Sequence, residues 1–341
     1  MKKSYWPQMD HAVLAGLRLK RILITGGLGF IGSNLAHILV RQAGAQVSIL
    51  DNRAENCGSN PKNIEGLEPD LELHTGDIGE PAITRPIVRN VDIIFNLAGS
   101  ISHVDSMSDP YQDLAANSSA HLSFLESCRR ENPNVRIILA STRQIYGRPA
   151  TLPVDETHPL KPVDFNGIHK LLGEKYHHIF AGLCGIRPTF LRLTNTYGPR
   201  LLLRHPRQGF IGWFLHQAIL GKDIQLYGGG GQLRDFTYVD DVAIAMLLAA
   251  VSEKAIGQTY NLGWGKPISL REFVETLAQL RPGLRYHPVD FPADRKPIDI
   301  GSYYSDSLRI KADLGWEPKV SLVEGLRRTL DFFEDHPDDY L

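Results

Sequence analysis

An α/β fold built on a doubly wound parallel sheet is predicted by three features of this 341-residue sequence. Short aliphatic runs alternate with amphipathic stretches through the first half. Most of those runs are continuously apolar, as strands covered on both faces must be. A glycine-rich turn separates the first run from the helical stretch that follows it. Alternating strand and helix imply right-handed crossovers, which lay helices on both faces of one sheet.

The strands begin with RILIT (21–25), followed by a helix over IGSNLAHILVRQ. QVSIL (46–50), LELHT (71–75), VDIIFNLA (91–98) and VRIILAS (135–141) continue the series, with a long helix over DLAANSSAHLSFLESCRRE. A helix opens near residue 167, where Asn166 is a candidate cap, and TFLRLT (189–194) is the next strand. After about residue 195 the alternation loosens. GFIGWFLHQAIL, VDDVAIAMLLAAVSE, ISLREFVETLAQL and GLRRTLDFFEDH read as helices, and YGGGGQ reads as a loop. The expected organisation is an N-terminal extension (1–19), a nucleotide-binding domain (20–194) and a smaller interleaved region (195–341) that returns some elements to the first.

A formal net charge of −1 gives no electrostatic reason to expect nucleic acid or an anionic membrane as partner. No apolar run is long enough to span a bilayer, and the N-terminus has no signal-like apolar core. Cys57, Cys128 and Cys184 are scattered and odd in number, which suits a reducing, cytoplasmic setting rather than a disulfide framework. His177-His178 lacks a carboxylate or cysteine at ligand spacing, so it is expected on half-exposed helix surface and no metal is expected.

RILITGGLGFIGSN places Gly26, Gly27, Gly29 and Gly32 between strand and helix, in the spacing of a Rossmann-like dinucleotide turn. Such a turn lets backbone approach a pyrophosphate, and the helix N-terminus beyond it, opening at Phe30 and Ile31, offers free N–H groups. The next strand ends at Asp51-Asn52, close to the ~20-residue spacing of an acid that accepts from the adenosine ribose. That carboxylate favours NAD over NADP; Arg53 beside it tempers the preference. Asp77 and Ile78, after the third strand, are candidates for the adenine edge.

With these motifs in order, the chain resembles the extended short-chain dehydrogenase/reductase family, in its nucleotide-sugar epimerase and dehydratase group. TGGLGFIG, NLAGS (96–100), ASTRQIYG (140–147), RLTNTYGP (192–199), GQLRDFTYVDD (231–241) and ADLGWEP carry the likeness. The resemblance implies tightly held NAD, contacted also by Leu97, Ala98 and Lys170, and a C-terminal region that clamps a nucleoside-diphosphate sugar. It casts Thr142 as the family's catalytic Ser/Thr and Lys170 as the lysine on the nicotinamide ribose. Arg143, Asn195, Tyr227, Arg234 and Arg295 take substrate-side positions; around Arg295 the family's R-P-G-D is replaced by DRKPID. It also implies a homodimer through the helix at about 110–131 and the Lys170 helix. Ala115, Ala116, Ser118, Ser119 and Ala120 would allow close approach there or pack inside the monomer.

One position departs from the family. The tyrosine four residues before the lysine is Asn166, and an amide cannot serve as general base. His103, in ISHVDS, is the substitute carried forward, with Tyr197 or a bound water as other candidates. Arg143-Gln144 stands where 4,6-dehydrating members carry Asp-Glu, and decarboxylating members a glutamate at the second position. Epimerisation through transient oxidation is therefore the leading reaction. The alternatives are an NAD- and nucleotide-sugar-binding protein with little turnover, another NAD-dependent nucleotide-sugar conversion (decarboxylase or dehydratase), and an NADP reductase, which Asp51 disfavours.

Overall fold

The computed structural model describes residues 9–55, 57–205, 209–293 and 295–341. All six strands expected in the first half form: β1 (Arg21–Thr25), β2 (Gln46–Asp51), β3 (Leu71–Thr75), β4 (Ile93–Asn96), β5 (Arg136–Thr142) and β6 (Arg187–Leu193). A seventh, β7 (Thr259–Leu262), joins from the C-terminal region. The sheet is wholly parallel, in the order β7-β6-β5-β4-β1-β2-β3. Chain order reverses between β1 and β4, which opens a crevice at the carboxyl ends of those strands.

The helices are α1 (His11–Leu17), α2 (Phe30–Ile38), α3 (Pro81–Val88), α4 (His103–Ser108), α5 (Pro110–Leu114), α6 (Ala120–Glu131), α7 (Phe165–Cys184), α8 (Phe210–Ile219), α9 (Val239–Val251), α10 (Leu270–Leu280), α11 (Leu308–Leu314) and α12 (Leu322–Asp335). One face of the sheet buries Ile24, Ile49, Ile138 and Leu191 in a core with Leu35, Val242 and Met246 of α2 and α9. The other buries Leu23, Ile94 and Ile137 with Phe124, Leu125 and Phe180 of α6 and α7. Within the N-terminal extension, α1 adds Val13 and Leu17 to the first core; residues 1–8 lie outside the described residues. A further core gathers Phe214, Leu226, Phe236, Phe273, Leu326 and Phe333. Among the described residues no helix is long and apolar enough to cross a membrane.

Two local expectations are corrected. The cap of α7 is Asp164, whose Oδ1 accepts from the Gly167 N–H at 2.7 Å; Asn166 sits inside the first turn, buried. Asp164 precedes the first helical turn, so its side-chain oxygen reaches an N–H that has no partner within the helix. The His177-His178 pair is split: His178 is exposed, but His177 is fully buried, with Nδ1 on the Gly173 carbonyl at 2.8 Å. Burial holds the His177 imidazole at about 4, so it is neutral. Among the described residues no His, Cys, Asp or Glu cluster suits a metal. The small residues after α5 are partly used inside the monomer: Ser118 donates to the His169 carbonyl at 3.0 Å, and Ala120 is buried in the core that also holds Phe124 and Leu125.

Candidate active site

A cavity of about 1040 Å³ runs along the carboxyl ends of the strands, from the glycine turn to the start of α8. Its floor at one end is the turn after β1. Gly26 has φ +68°, and a Cβ there would press on the Ala98 backbone at 3.1 Å. A Cβ on Gly32 would meet the Gly26 carbonyl at 2.6 Å, so only glycine lets α2 sit this close to the turn. Gly26, Gly29, Phe30, Ile31 and Gly32 line the cavity; Gly27 instead faces β2, where a Cβ would meet Ile49 at 2.6 Å. The α2 cap, Gly29, has no side chain to occupy the first-turn N–H groups, which leaves them for an anion.

Asp51 ends β2 on the cavity wall. Its oxygens accept from the Leu28 N–H at 3.0 Å and the Arg53 N–H at 2.9 Å, which fixes the carboxylate beside the turn. Asn52 donates to Asp77 at 2.7 Å, and Ile78, Leu97 and Ala98 continue the wall. A groove of glycine backbone, a free helix N-terminus and a fixed acid at the end of β2 fits NAD.

The far end of the cavity brings together Thr142, Arg143, Gln144, Asn166, Lys170, Asn195 and His103. Thr142 caps a single turn at Arg143–Tyr146, its Oγ1 accepting from the Gln144 N–H at 3.2 Å. Lys170 donates to Asn117 at 3.0 Å, past Gly99, where a Cβ would meet Asn117 Oδ1 at 2.5 Å and Lys170 Nζ at 3.2 Å. Burial lowers the Lys170 ammonium to about 8, against the opposing pull of Asp113. Arg143 donates to Asn195 Oδ1 at 3.3 Å and lies over the Tyr303 ring, while its buried Nη1 has no hydrogen-bond partner among the described residues.

Asn166 does not point idly. Its Nδ2 donates to Asp113 Oδ2 at 2.9 Å and to the Ser100 carbonyl at 3.2 Å. Asp113 also accepts from Ser100 Oγ at 2.6 Å and pairs with His169 Nδ1 at 2.7 Å. Asn117 donates to Ser100 Oγ at 2.8 Å, which closes the network back to Lys170. Burial pushes the Asp113 carboxyl up, but these donors outweigh it and hold it below the usual carboxylate range. Asp113, Ser100, Asn117 and His169 are absent from the sequence expectation. Asp164, the acid before the Lys170 helix, carried a signal as a cap.

Three substrate-side residues stand off the cavity wall. Arg234 is buried, with Nη1 donating to the Leu233 and Gly301 carbonyls and Nη2 to Gln232 at 3.1 Å. Arg295 lies over the Tyr227 ring, 5.5 Å from its centre. Tyr197 is fully buried, its hydroxyl toward the Leu322 carbonyl at 3.5 Å, and burial pushes its phenol far up, so it is no base. Tyr146 is likewise held at about 12, between Arg192 and Asn261.

A model of the NAD dependent epimerase/dehydratase family matches residues 22–263. The chain belongs to that family. Its cofactor is accordingly NAD, and its family comprises nucleotide-sugar epimerases, dehydratases and decarboxylases. The chain is 30% identical to a UDP-glucose 4-epimerase of Mycolicibacterium smegmatis, over 92% of this chain and 99% of that one. It is 32% identical to UDP-glucuronic acid decarboxylase 1 of Xenopus tropicalis, over 92% of this chain and 72% of the relative. Among solved structures, the UDP-glucose 4-epimerase of Thermotoga maritima with UDP-glucose superposes with a TM-score of 0.83 at 30% identity, covering 92% of this chain and 99% of that one.

Proposed function

We propose that this protein is an NAD-dependent nucleotide-sugar epimerase, acting by transient oxidation of one sugar carbon and return of the hydride. The observation that carries the reading is that Thr142, Lys170 and His103 share one cavity with the glycine turn. Asn166, at the family tyrosine's position, meanwhile has its Nδ2 committed to Asp113 and the Ser100 carbonyl. The glycine turn and α2 would hold the pyrophosphate, Asp51 the adenosine ribose, Asp77 and Ile78 the adenine, and Lys170 the nicotinamide ribose. When bound, NAD supplies the hydride acceptor and, on return, the donor. Thr142 orients the reacting hydroxyl, His103 takes its proton and gives it back, and Arg143 and Asn195 contact the nucleoside-diphosphate sugar. Relatives solved with UDP-glucose and with UDP-glucuronic acid support that substrate class. Gln144 cannot ionise, which favours epimerisation over dehydration or decarboxylation.

The test is a panel of UDP-, TDP-, GDP- and CDP-sugars with NAD, followed by proton NMR. A new epimer without net NADH is expected, with an alkaline limb near pH 8 as the Lys170 ammonium is lost. Lys170→Met is expected to lower turnover about 100-fold or more. Sugar and NAD binding without turnover would instead favour the binding-protein reading.

The same proposal includes a homodimer. Ile168, Ile179 and Leu183 are exposed on α7, and their spacing keeps them on one side of that helix. Tyr111 and Leu122 are exposed on the neighbouring α5 and α6 run, Tyr111 at 82%. Such apolar surface on packed helices fits a self-complementary interface. Light scattering of an Ile179→Glu/Leu122→Glu variant is expected to give a monomer; an unchanged dimer would place the interface elsewhere.

A further inference from the structure

The geometry points to Asp164 as a positioning residue that fixes the ring tautomer of His103 and so presents a proton-accepting Nε2 to the cavity. This rests on the reading of His103 as the acid–base group of the epimerase.

His103 opens α4 on the cavity wall, with its side chain about one-third exposed. Asp164 is the reverse, with a side chain only 1% exposed. Its Oδ2 lies 3.0 Å from His103 Nδ1, and neither atom has another partner among the described residues. The two atoms are not aligned as an in-line hydrogen bond, but a proton on Nδ1 would face this otherwise unpartnered oxygen. The carboxylate cannot turn away, because Oδ1 is held by the Gly167 N–H at 2.7 Å as the cap of α7. A second tie joins α4 to α7, the Asn166 N–H donating to Ser106 Oγ at 3.3 Å. The element that carries Lys170 thus also carries the group that orients His103.

With Nδ1 protonated toward Asp164, the other ring nitrogen has a lone pair. His103 Nε2 lies 2.6 Å from Gln144 Nε2, and in this tautomer the amide is its donor. Gln144 in turn hangs from Thr142 Oγ1 through its backbone N–H at 3.2 Å. A sugar hydroxyl that binds at Thr142 and replaces the Gln144 amide at Nε2 meets an acceptor, not a second N–H. In the forward step the hydroxyl O–H bond breaks, the proton passes to Nε2, and the imidazolium faces the Asp164 carboxylate. In the return step the same proton goes back to the sugar oxygen, so no net proton is consumed. A buried carboxylate behind the imidazole is the arrangement that holds tautomer and stabilises imidazolium in acyl-transfer triads. Arg143, whose charge also feels Asp164, Asp235 and Asp299, and Asp105 in the first turn of α4 are among the charged groups near this corner.

Asp164→Asn separates this role from capping. Asparagine caps helices as well as aspartate does, and its Oδ1 can keep the Gly167 N–H. The atom facing His103 then becomes an NH₂, so Nδ1 must accept and the ring proton moves to Nε2. The chain has 13 histidines, so the experiment uses ¹⁵N-histidine-labelled protein, with the His103 signals assigned by their loss in His103→Gln. The expected result is an Nδ1–H tautomer in the wild type and Nε2–H in Asp164→Asn, at a similar melting temperature. On the epimerised sugar, kcat is expected to fall about 100-fold or more with little change in KM. The same tautomer in both proteins, or a switched tautomer with unchanged kcat, overturns the assignment and leaves Asp164 a cap. If the wild type turns over no sugar of the panel, the epimerase reading fails on its own, and the tautomer pair still decides whether Asp164 orients the ring.

Discussion

Asn166→Tyr is expected to lower turnover about tenfold or more, not to raise it, because the amide is built into the hydrogen bonds around it. Tyrosine is what the family pattern has at this position, so a damaged family site would gain from the change. The packing argues the other way. Asn166 is only 1% exposed, and its two N–H bonds go to Asp113 and the Ser100 carbonyl. A phenol has one donor and a much larger body, so it cannot satisfy both acceptors in the same space. Asp113 would lose one of the donors that keep it ionised, and the Ser100–Asn117–Lys170 chain beside it would shift. Stability is expected to fall by about 1–3 kcal/mol, the cost of a buried acceptor left short of a partner. NMR-followed turnover and thermal unfolding of the variant check both parts. A tenfold gain in rate would mean that the asparagine is a lesion in an otherwise ordinary family site.

What was legible in the sequence was whatever depends on near neighbours. The glycine turn, Asp51 and the alternating strands were readable because their geometry is local: a positive φ at Gly26, a helix pressed on its own turn at Gly32, an acid at a strand end. Thr142 and Lys170 were singled out by motif order alone, and the fold brings both to one cavity. The network around Asn166 was not readable, because Asp113 is far away in the chain. It reaches Asn166 only through the wide helical turn at Ala115–Ser119 and the packing of α5 on α7. Arg234 shows the converse. Its motif is nearly perfect, yet its guanidinium is taken up by carbonyls, including Gly301 from a distant loop. His177 looked like surface because helical spacing alone does not say which face meets the sheet; the ring lies edge-on to Phe190 of β6 instead.

The second large effect is on stability, and it concerns what holds Thr142 and Lys170 in register. Glu174 and Arg192 form a buried two-pronged pair, Nε and Nη2 donating at 3.0 and 2.8 Å, with side chains 1% and 6% exposed. Glu174 lies four residues beyond Lys170 on α7, so one turn of helix separates the pair from the cavity. Ser141, next to Thr142, donates to the same carboxylate, and Arg192 also donates to the Tyr146 hydroxyl at 2.8 Å. Arg192→Met removes the cation and leaves Glu174 buried without it, which is expected to cost about 3–5 kcal/mol. That is a large part of the roughly 5–15 kcal/mol by which a domain is stable. The physical cause is the stranded charge rather than the lost contact, so the double variant Arg192→Met/Glu174→Leu is expected to recover most of the loss. Denaturant midpoints of the wild type and the single and double variants measure this. A double variant as unstable as the single would show that geometry at the β5–β6 and α7 junction, not charge burial, sets the cost. Turnover is expected to stay reduced in the recovered double variant, because Ser141 has lost Glu174 and Tyr146 has lost Arg192, keeping only Asn261, so the segment carrying Thr142 is less firmly held.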